Sequence, residues 1–370
     1  MKKILILANS SIGLYNFRHE LIIELINQGF KVYFSVPESL DNSKINNLIE
    51  SGAIYLKSNF KRRSINLLYD IILMYNYRKI MNKVKPDVVL TYTIKPNIYG
   101  TFVASVFNIP VIMNITGLGS SFNSSKLRFI IYHLYKFACK RATFVFFQNE
   151  FNLKLFIYKS IVTKQKAKLI PGSGVNINKF NISINKSNDD KIIFIFIGRI
   201  MKDKGIEEFL YVAEKVTLKY KNVLFYILGQ FEEIKYKSTL ENLCIENKQI
   251  KYLGFANDVR EYLSNVDCII NPTTYHEGMS NVLLEAAAMG KPIIASNIPG
   301  CREIVDHQIN GFLVKPKSSE DLLEKVISFI ELDHIKRYEM GKASRIKVEE
   351  FFDRNIVIKE YISCINSILS

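Results

Sequence analysis

Two short windows hold residue types that do polar chemistry at a defined spacing. In Tyr275–Pro292, Glu277 and Glu285 stand eight apart, with Gly278, Met279, Ser280 and Asn281 between them. In Phe194–Gly205, an Ile/Phe run ends at Gly198 and is followed by Arg199 and Lys204. A carboxylate accepts two hydrogen bonds from a vicinal diol in fork geometry, and charged acceptors make the stronger bonds. A Gly-containing loop that opens a helix presents unpaired N–H groups and a positive dipole end, which suits a diphosphate. On this reading Glu277 meets sugar hydroxyls, Glu285 meets a ribose diol, and Arg199 and Lys204 reach one diphosphate. Two cations there neutralise charge that develops on a departing group. A divalent metal would need more ligands than these windows offer.

Such residues act only if strands aim them. Ile/Val/Phe-rich runs bounded by turn residues predict strands at Lys3–Ala8, Lys31–Val36, Asp87–Tyr92, Val111–Thr116 and Thr143–Gln148, separated by helix-length amphipathic stretches. After Ile170-Pro171-Gly172-Ser173-Gly174 the pattern restarts, with strands at Ile192–Ile197, Val223–Leu228, Ile250–Leu253, Asp267–Asn271, Pro292–Ala295 and Gly311–Val314. Buried parallel strands with crossover helices read this way. The fold class expected is α/β, two doubly wound Rossmann-like domains facing a cleft. Their bounds are 1–169 and 170–353, and a C-terminal helix over 354–370 crosses back to the first domain on the apolar spacing of Ile356, Ile358, Ile362, Ile365 and Leu369. The polar Asn181–Asp190 stretch reads as a surface loop. Ser280 or Asn281 caps the helix that Gly290 and Pro292 close, so Glu277 lies in the loop before it and Glu285 inside it. Two glutamates at that spacing on an amphipathic helix are by themselves usually a solvated face. The strand–loop–helix setting and the Gly198–Gly205 element argue for a site instead.

Composition narrows the classes. At 370 residues with 48% hydrophobic and 23% charged residues the chain is globular, about two domains long, with neither a disordered nor a collagen-like composition. No apolar run approaches the ~18 residues that cross a bilayer, and Ile4–Ala8 is too short for a signal sequence, which predicts a cytoplasmic protein. Cys139, Cys244, Cys268, Cys301 and Cys364 are widely spaced and read as reduced packing residues. His19, His133, His276, His307 and His334 lack ligand spacing, though His276 adjoins the presumed sugar pocket. The net charge of +15 is one-sided: residues 1–170 hold 24 Lys+Arg against 8 Asp+Glu, whereas residues 171–370 hold 26 against 27. The first half therefore faces something anionic. Lys61-Arg62-Arg63 followed by Ile65, Leu67, Leu68 and Tyr69, and the Phe122–Arg141 stretch, interleave cations with apolar side chains as a surface on an anionic membrane does; ordinary helices covering a sheet give the same pattern.

Gly198-Arg199…Lys204-Gly205, with Glu277-x₇-Glu285 ahead of Lys291-Pro292-Ile293-Ile294-Ala295, resembles the retaining glycosyltransferases of family 4, which have the two-Rossmann GT-B architecture. The resemblance covers nearly the whole chain and extends to Ile170–Asn176, similar to the segment that opens the family's nucleotide domain. Asn9–Arg18 resembles the first strand–loop–helix, where Gly13 approaches the donor phosphates, without the usual Gly-Gly pair. Thr91–Gly100 and Ile115–Gly119 resemble the branch that builds capsule, O-antigen and related surface glycans. At Thr116 and Gly117, counted among the substrate-binding residues, many members carry a His.

The resemblance implies retaining transfer of a hexose or N-acetylhexosamine from a nucleotide diphosphate sugar, a UDP-sugar foremost, to a lipid-linked (polyprenyl diphosphate) saccharide at the cytoplasmic face of a bacterial plasma membrane. Glu277, Arg199 and Lys204 are the catalytic residues implied; Glu285, Gly13, Gly278, Met279, Ser280, Asn281, Gly198, Thr116 and Gly117 bind substrate. Neither a cofactor nor a metal is expected, in keeping with the lack of an Asp-x-Asp motif. The rival enzyme is a nucleotide-sugar epimerase on the same architecture, which needs no acceptor and no one-sided charge. Nucleic acid is not expected as a partner: the charge and the 20 Tyr and 25 Phe come without a binding signature. A dinucleotide oxidoreductase is disfavoured because neither strand-to-helix turn reads G-x-G-x-x-G.

Overall fold

A computed structural model describes residues 1–58, 67–117, 125–182, 191–275 and 277–370. The basic Lys61–Arg63 run with Ile65, the Leu118-Gly119 pair, residues 122–124, His276 and most of the Asn181–Asp190 stretch lie outside the described residues. The chain forms two compact units: Met1–Ser173 with Glu277–Met279 and Asn355–Ser370, and Gly174–His276 with Ser280–Arg354.

In the first unit seven parallel strands, β1 (Lys3–Leu7), β2 (Lys31–Val36), β3 (Ile54–Lys57), β4 (Val88–Tyr92), β5 (Val111–Ile115), β6 (Phe144–Phe147) and β7 (Ala167–Leu169), lie in the order β3-β2-β1-β4-β5-β6-β7. β4 and β5 are buried along their whole length, which is why they read as apolar runs interrupted only by Thr91 and Asn114. The edge strands β3 and β7 escaped sequence reading because they are short and half-exposed, with little apolar pattern. Order reverses between β1 and β4, so the crevice at their carboxyl ends is where ligands bind in such sheets.

The helix Arg354–Leu369 belongs to this unit from Asn355 on. It packs Val357, Ile358, Tyr361, Cys364 and Ile365 into the core around β1 and β4. Of the five apolar positions expected on that face, Ile358 and Ile365 are buried and Ile362 and Leu369 pack against the core; Ile356 is exposed, and Tyr361 takes the central place. Tyr361 stands edge-on to Phe146 at 4.7 Å, and its hydroxyl accepts from Asn114 Nδ2 at 2.6 Å.

In the second unit β8 (Ile192–Ile197), β9 (Val223–Leu228), β10 (Ile250–Tyr252), β11 (Cys268–Asn271), β12 (Ile293–Ser296) and β13 (Gly311–Val314) form a parallel sheet in the order β10-β9-β8-β11-β12-β13. Phe194, Phe225, Phe209 and Phe329, all fully buried, fill one face of it. The reversal falls between β8 and β11, paired through Phe194↔Cys268 and Ile195↔Ile269. The strands that precede the two chemical windows are thus neighbours at the switch point.

Four of the five cysteines are buried and none forms a disulfide, in keeping with packing residues. Among the described residues no helix is long and apolar enough to cross a membrane.

Candidate functional site

β8 delivers Gly198, and a Cβ at that position would find no atom nearer than the Phe196 ring at 3.8 Å. Packing therefore does not demand glycine there, and the space above the strand end is left open. Ile200 is fully buried, and its N–H donates to the Gln230 carbonyl at 2.8 Å. One turn of 3₁₀ helix, Lys202–Lys204, follows and ends at Gly205 with φ +81°. A side chain on Gly205 would strike the Pro272 carbonyl, so both backbone conformation and close approach require glycine. The helix Ile206–Lys219 begins there.

The loop after β11 is fastened to this turn. The Asp203 carbonyl accepts from Thr274 N–H at 2.8 Å and from Thr273 Oγ1 at 3.0 Å. Tyr275 follows, and its ring lies 5.2 Å from Arg199 Cζ and 5.1 Å from Lys204 Nζ, measured to the ring centroid. One aromatic face thus collects both predicted cations, each within cation–π range. Arg199 also lies 3.7 Å from Glu232 Oε2. Two like charges around one ring repel each other, and an entering anion relieves that repulsion.

The helix Asn281–Ala288 starts beside this loop. Ser280 holds the N-cap position, as expected, but makes no side-chain capping bond: its hydroxyl accepts from Asn271 Nδ2 at 3.1 Å, and Asn281 Oδ1 is buried with no hydrogen-bond partner. The helix end keeps its N–H groups and its positive dipole uncompensated by a side chain. Glu285 lies one turn after Asn281 on the same face. Burial pushes its carboxyl up to about 7, against the opposing pull of Arg354 and Lys179 and with a smaller push from Asp258. A diol that donates to it would replace the hydration that burial removes.

Glu277, Gly278 and Met279 group with the first unit. Gly278 N–H donates to the Thr116 carbonyl at 3.2 Å, and Glu277 forms an antiparallel bridge with Gly117. Asn149 Nδ2 donates to the Gly278 carbonyl at 2.5 Å and to the Glu277 carbonyl at 3.3 Å. A Cβ on Gly278 would collide with Gln148 Oε1 and the Thr116 carbonyl, so this glycine is a packing requirement. Thr116 contributes its backbone, and Met279 is buried. The Glu277 side chain is half-buried.

Gly13 stands at the carboxyl end of β1, on the helix Ser11–Asn27. Its N–H donates to Ser10 Oγ at 3.4 Å, while the neighbouring Ser11 N–H donates to Glu38 Oε2 at 3.1 Å. The predicted residues therefore fall into three groups: Gly198, Arg199, Lys204, Ser280, Asn281 and Glu285 at the second switch point; Glu277, Gly278, Met279, Thr116 and Gly117 together in the first unit; and Gly13 on the first helix. Tyr275, Thr273, Asn149 and Glu38 were missed. Tyr275 sits inside a window already singled out but gives no signal of its own, and Asn149 is visible only as a helix N-cap, a role it also fills by accepting from Asn152 N–H. Among the described residues no group of three or more His, Cys, Asp or Glu could hold a metal ion.

Comparison with known proteins gives these positions a context. The family described as "Glycosyl transferases group 1" matches residues 178–347, and that described as "Glycosyl transferase 4-like" matches residues 3–149. The chain is 27% identical, over 98% of both chains, to the N,N'-diacetylbacillosaminyl-diphospho-undecaprenol alpha-1,3-N-acetylgalactosaminyltransferase of Campylobacter jejuni. It is 27% identical to the capsular polysaccharide biosynthesis glycosyltransferase CapM of Staphylococcus aureus over 83% of this chain and 84% of that one. It is 29% identical to the UDP-Gal:alpha-D-GlcNAc-diphosphoundecaprenol alpha-1,3-galactosyltransferase of Escherichia coli over 72% of each. Among solved structures, HepE of Anabaena in complex with UDP-glucose superposes with a TM-score of 0.80 at 18% identity, over 99% of this chain and 100% of that one. A Rickettsia africae glycosyltransferase superposes with a TM-score of 0.81 at 19% identity, over 100% and 99%. Two doubly wound parallel sheets, each with its switch point, and family matches that together span both units lead to one conclusion: the chain belongs to the family 4 glycosyltransferases of GT-B fold.

Proposed function

We propose that this glycosyltransferase moves a hexose or N-acetylhexosamine from a UDP-sugar to a saccharide carried on a polyprenyl diphosphate, with retention of anomeric configuration, in the assembly of a bacterial surface polysaccharide. The acceptor class follows the printed activities of the Campylobacter jejuni and Escherichia coli relatives. The observation that carries the donor side is the convergence of Arg199 and Lys204 on Tyr275, beside an uncapped helix end.

In this reading the uridine diphosphate lies over Gly198, its phosphates between the two cations and the N–H groups of Asn281 and the residues after it. Glu285 takes the ribose diol, and Glu277 takes hydroxyls of the transferred sugar, with the backbone of Gly278 and Met279 beside it. The acceptor is held by the first unit, in which Thr116 and Gly117 carry the Glu277 segment. The acceptor hydroxyl attacks C1 on the face from which the nucleotide leaves. The C1–O bond to the diphosphate breaks as the new glycosidic bond forms, and the departing phosphate oxygen takes the hydroxyl proton. Arg199 and Lys204 stabilise the charge that grows on that oxygen, so no divalent ion is needed. The enzyme works as a peripheral protein on the cytoplasmic face of the plasma membrane, against an anionic lipid surface.

Steady-state kinetics with a UDP-sugar and a short-chain prenyl diphosphate saccharide test this. Arg199→Ala and Lys204→Ala each lower kcat by ~10²-fold or more, about 3 kcal/mol of transition-state stabilisation, and chelator leaves the wild-type rate unchanged. Near-normal turnover in both variants, or a rate that collapses with chelator, removes the proposal.

A further inference from the structure

Three neighbouring helices of the first unit present an outer surface unlike that of ordinary helices on a sheet. The helix Leu67–Val84 buries Leu73, Tyr77, Ile80 and Met81 against the sheet. Polar residues should then face solvent. Instead its first turns expose Leu68, Ile71, Ile72 and Tyr75, each between 47% and 69% accessible, and its later turns expose Arg78, Lys79 and Lys83. The helix Ser125–Arg141 repeats the arrangement, with Phe129, Ile130 and Phe137 exposed alongside Arg128, Lys136 and Lys140. Between them the short helix Thr101–Val106 packs against both and adds Phe102, whose ring lies 5.7 Å from that of Phe137.

Single exposed apolar side chains are ordinary; a group shared by three packed helices is not. The charge is equally one-sided. Asp70 is the one acidic residue in these three helices. It is buried, with Lys95 Nζ 2.8 Å from one carboxylate oxygen and the Tyr99 hydroxyl donating to the other at 2.7 Å, so it does not offset the exposed cations. An apolar surface rimmed by cations alone matches an interface whose interior is hydrocarbon and whose rim is phosphate.

We propose that this three-helix face seats the first unit on an anionic lipid bilayer, with its apolar side chains at the headgroup–acyl boundary and its lysines and arginines on lipid phosphates. The proposal deepens the reading of a lipid-linked acceptor, and rests on that reading only for why the enzyme works at a membrane. It extends the sequence expectation to Leu68–Lys83 and Phe102, and does not depend on the Lys61–Arg63 run.

Co-sedimentation with phosphatidylglycerol-containing and pure phosphatidylcholine vesicles tests it, on the full chain. The wild type partitions at least 10-fold more strongly onto the anionic vesicles, and added salt weakens the binding. The triple variant Ile71→Ser, Ile72→Ser, Phe129→Ser lowers that partition at least 10-fold, as does Lys79→Glu, Lys83→Glu, Lys136→Glu, while both melt like the wild type and keep its rate on the short-chain acceptor. Partition unchanged in either variant, or equal on neutral vesicles, overturns the proposal. So does a lipid-free dimer, seen by sedimentation velocity, that the serine substitutions dissociate, because a second copy of the chain then covers the face. Loss of transfer to every prenyl diphosphate saccharide, with vesicle binding intact, leaves the docking face standing and removes the acceptor reading instead.

Discussion

The two units share an architecture yet prepare their switch-point helices in opposite ways. In the first, the helix after β1 has its end occupied: Ser10 Oγ takes the Gly13 N–H, and the Glu38 carboxylate takes the Ser11 N–H. In the second, the serine that could do the same gives its hydroxyl to Asn271, and two cations gather on the ring of Tyr275 beside it. A helix end already holding a carboxylate does not attract a dianion; one left bare beside two cations does. Local capping and charge, which the sheet topology does not set, are what support the second unit as the nucleotide's place in the proposed reaction. The first offers space at Gly13 on a helix end that Ser10 and Glu38 already occupy.

The comparison is open to experiment, and the largest effects belong to the two glutamates. Glu277→Ala abolishes transfer while UDP affinity, read by calorimetry, stays near that of the wild type; Glu285→Ala weakens UDP itself by ~10-fold or more, the loss of charge-assisted bonds to a diol. Equal affinities for the two variants would erase the division of roles. The raised Glu285 carboxyl adds a pH signature with a definite sign. Its folded form holds a proton up to about 7, whereas an unfolded glutamate loses it near 4.5. Stability of the ligand-free protein from this group is therefore full below about 4.5 and is lost as pH climbs toward 7, by on the order of 3 kcal/mol. Melting curves from pH 5 to 8 should flatten in Glu285→Gln, and an unchanged slope excludes Glu285 as the source.

Tyr275 gives a smaller effect. Replacing it with Leu removes the shared ring and lowers kcat several-fold, roughly 1 kcal/mol, whereas Tyr275→Phe keeps the face and most of the rate. If Phe and Leu behave alike, the ring does not organise the cations. Smallest is Glu38→Gln: it removes a charge from the first helix end and costs roughly 0.5 kcal/mol of stability, leaving UDP affinity where it was. A clear rise in UDP affinity would mean that the first unit also meets the phosphates, and the contrast between the units would fail.

Much of this was legible in the chain itself. Eleven of the thirteen strands announce themselves as Ile/Val/Phe runs between turn residues, and the two windows fall at the ends of adjacent strands, β8 and β11. What stayed hidden depends on partners distant in sequence. The Ser280 hydroxyl reads as a cap until Asn271 is seen to claim it, and nothing near Glu38 announces that it reaches Ser11, 27 positions away. The buried face of the Arg354–Leu369 helix was legible from Ile358, Ile362, Ile365 and Leu369, but aliphatic spacing alone counted the exposed Ile356 and left out Tyr361, whose ring and hydroxyl both have partners in the core.

The Asp203 carbonyl, satisfied at once by Thr273 and Thr274, ties the lysine-bearing turn to the segment that carries the tyrosine. The two cannot drift apart without orphaning three polar groups. Side chains flanking the knot can therefore be exchanged without loosening the hold of the lysine-bearing turn on the segment that carries Tyr275.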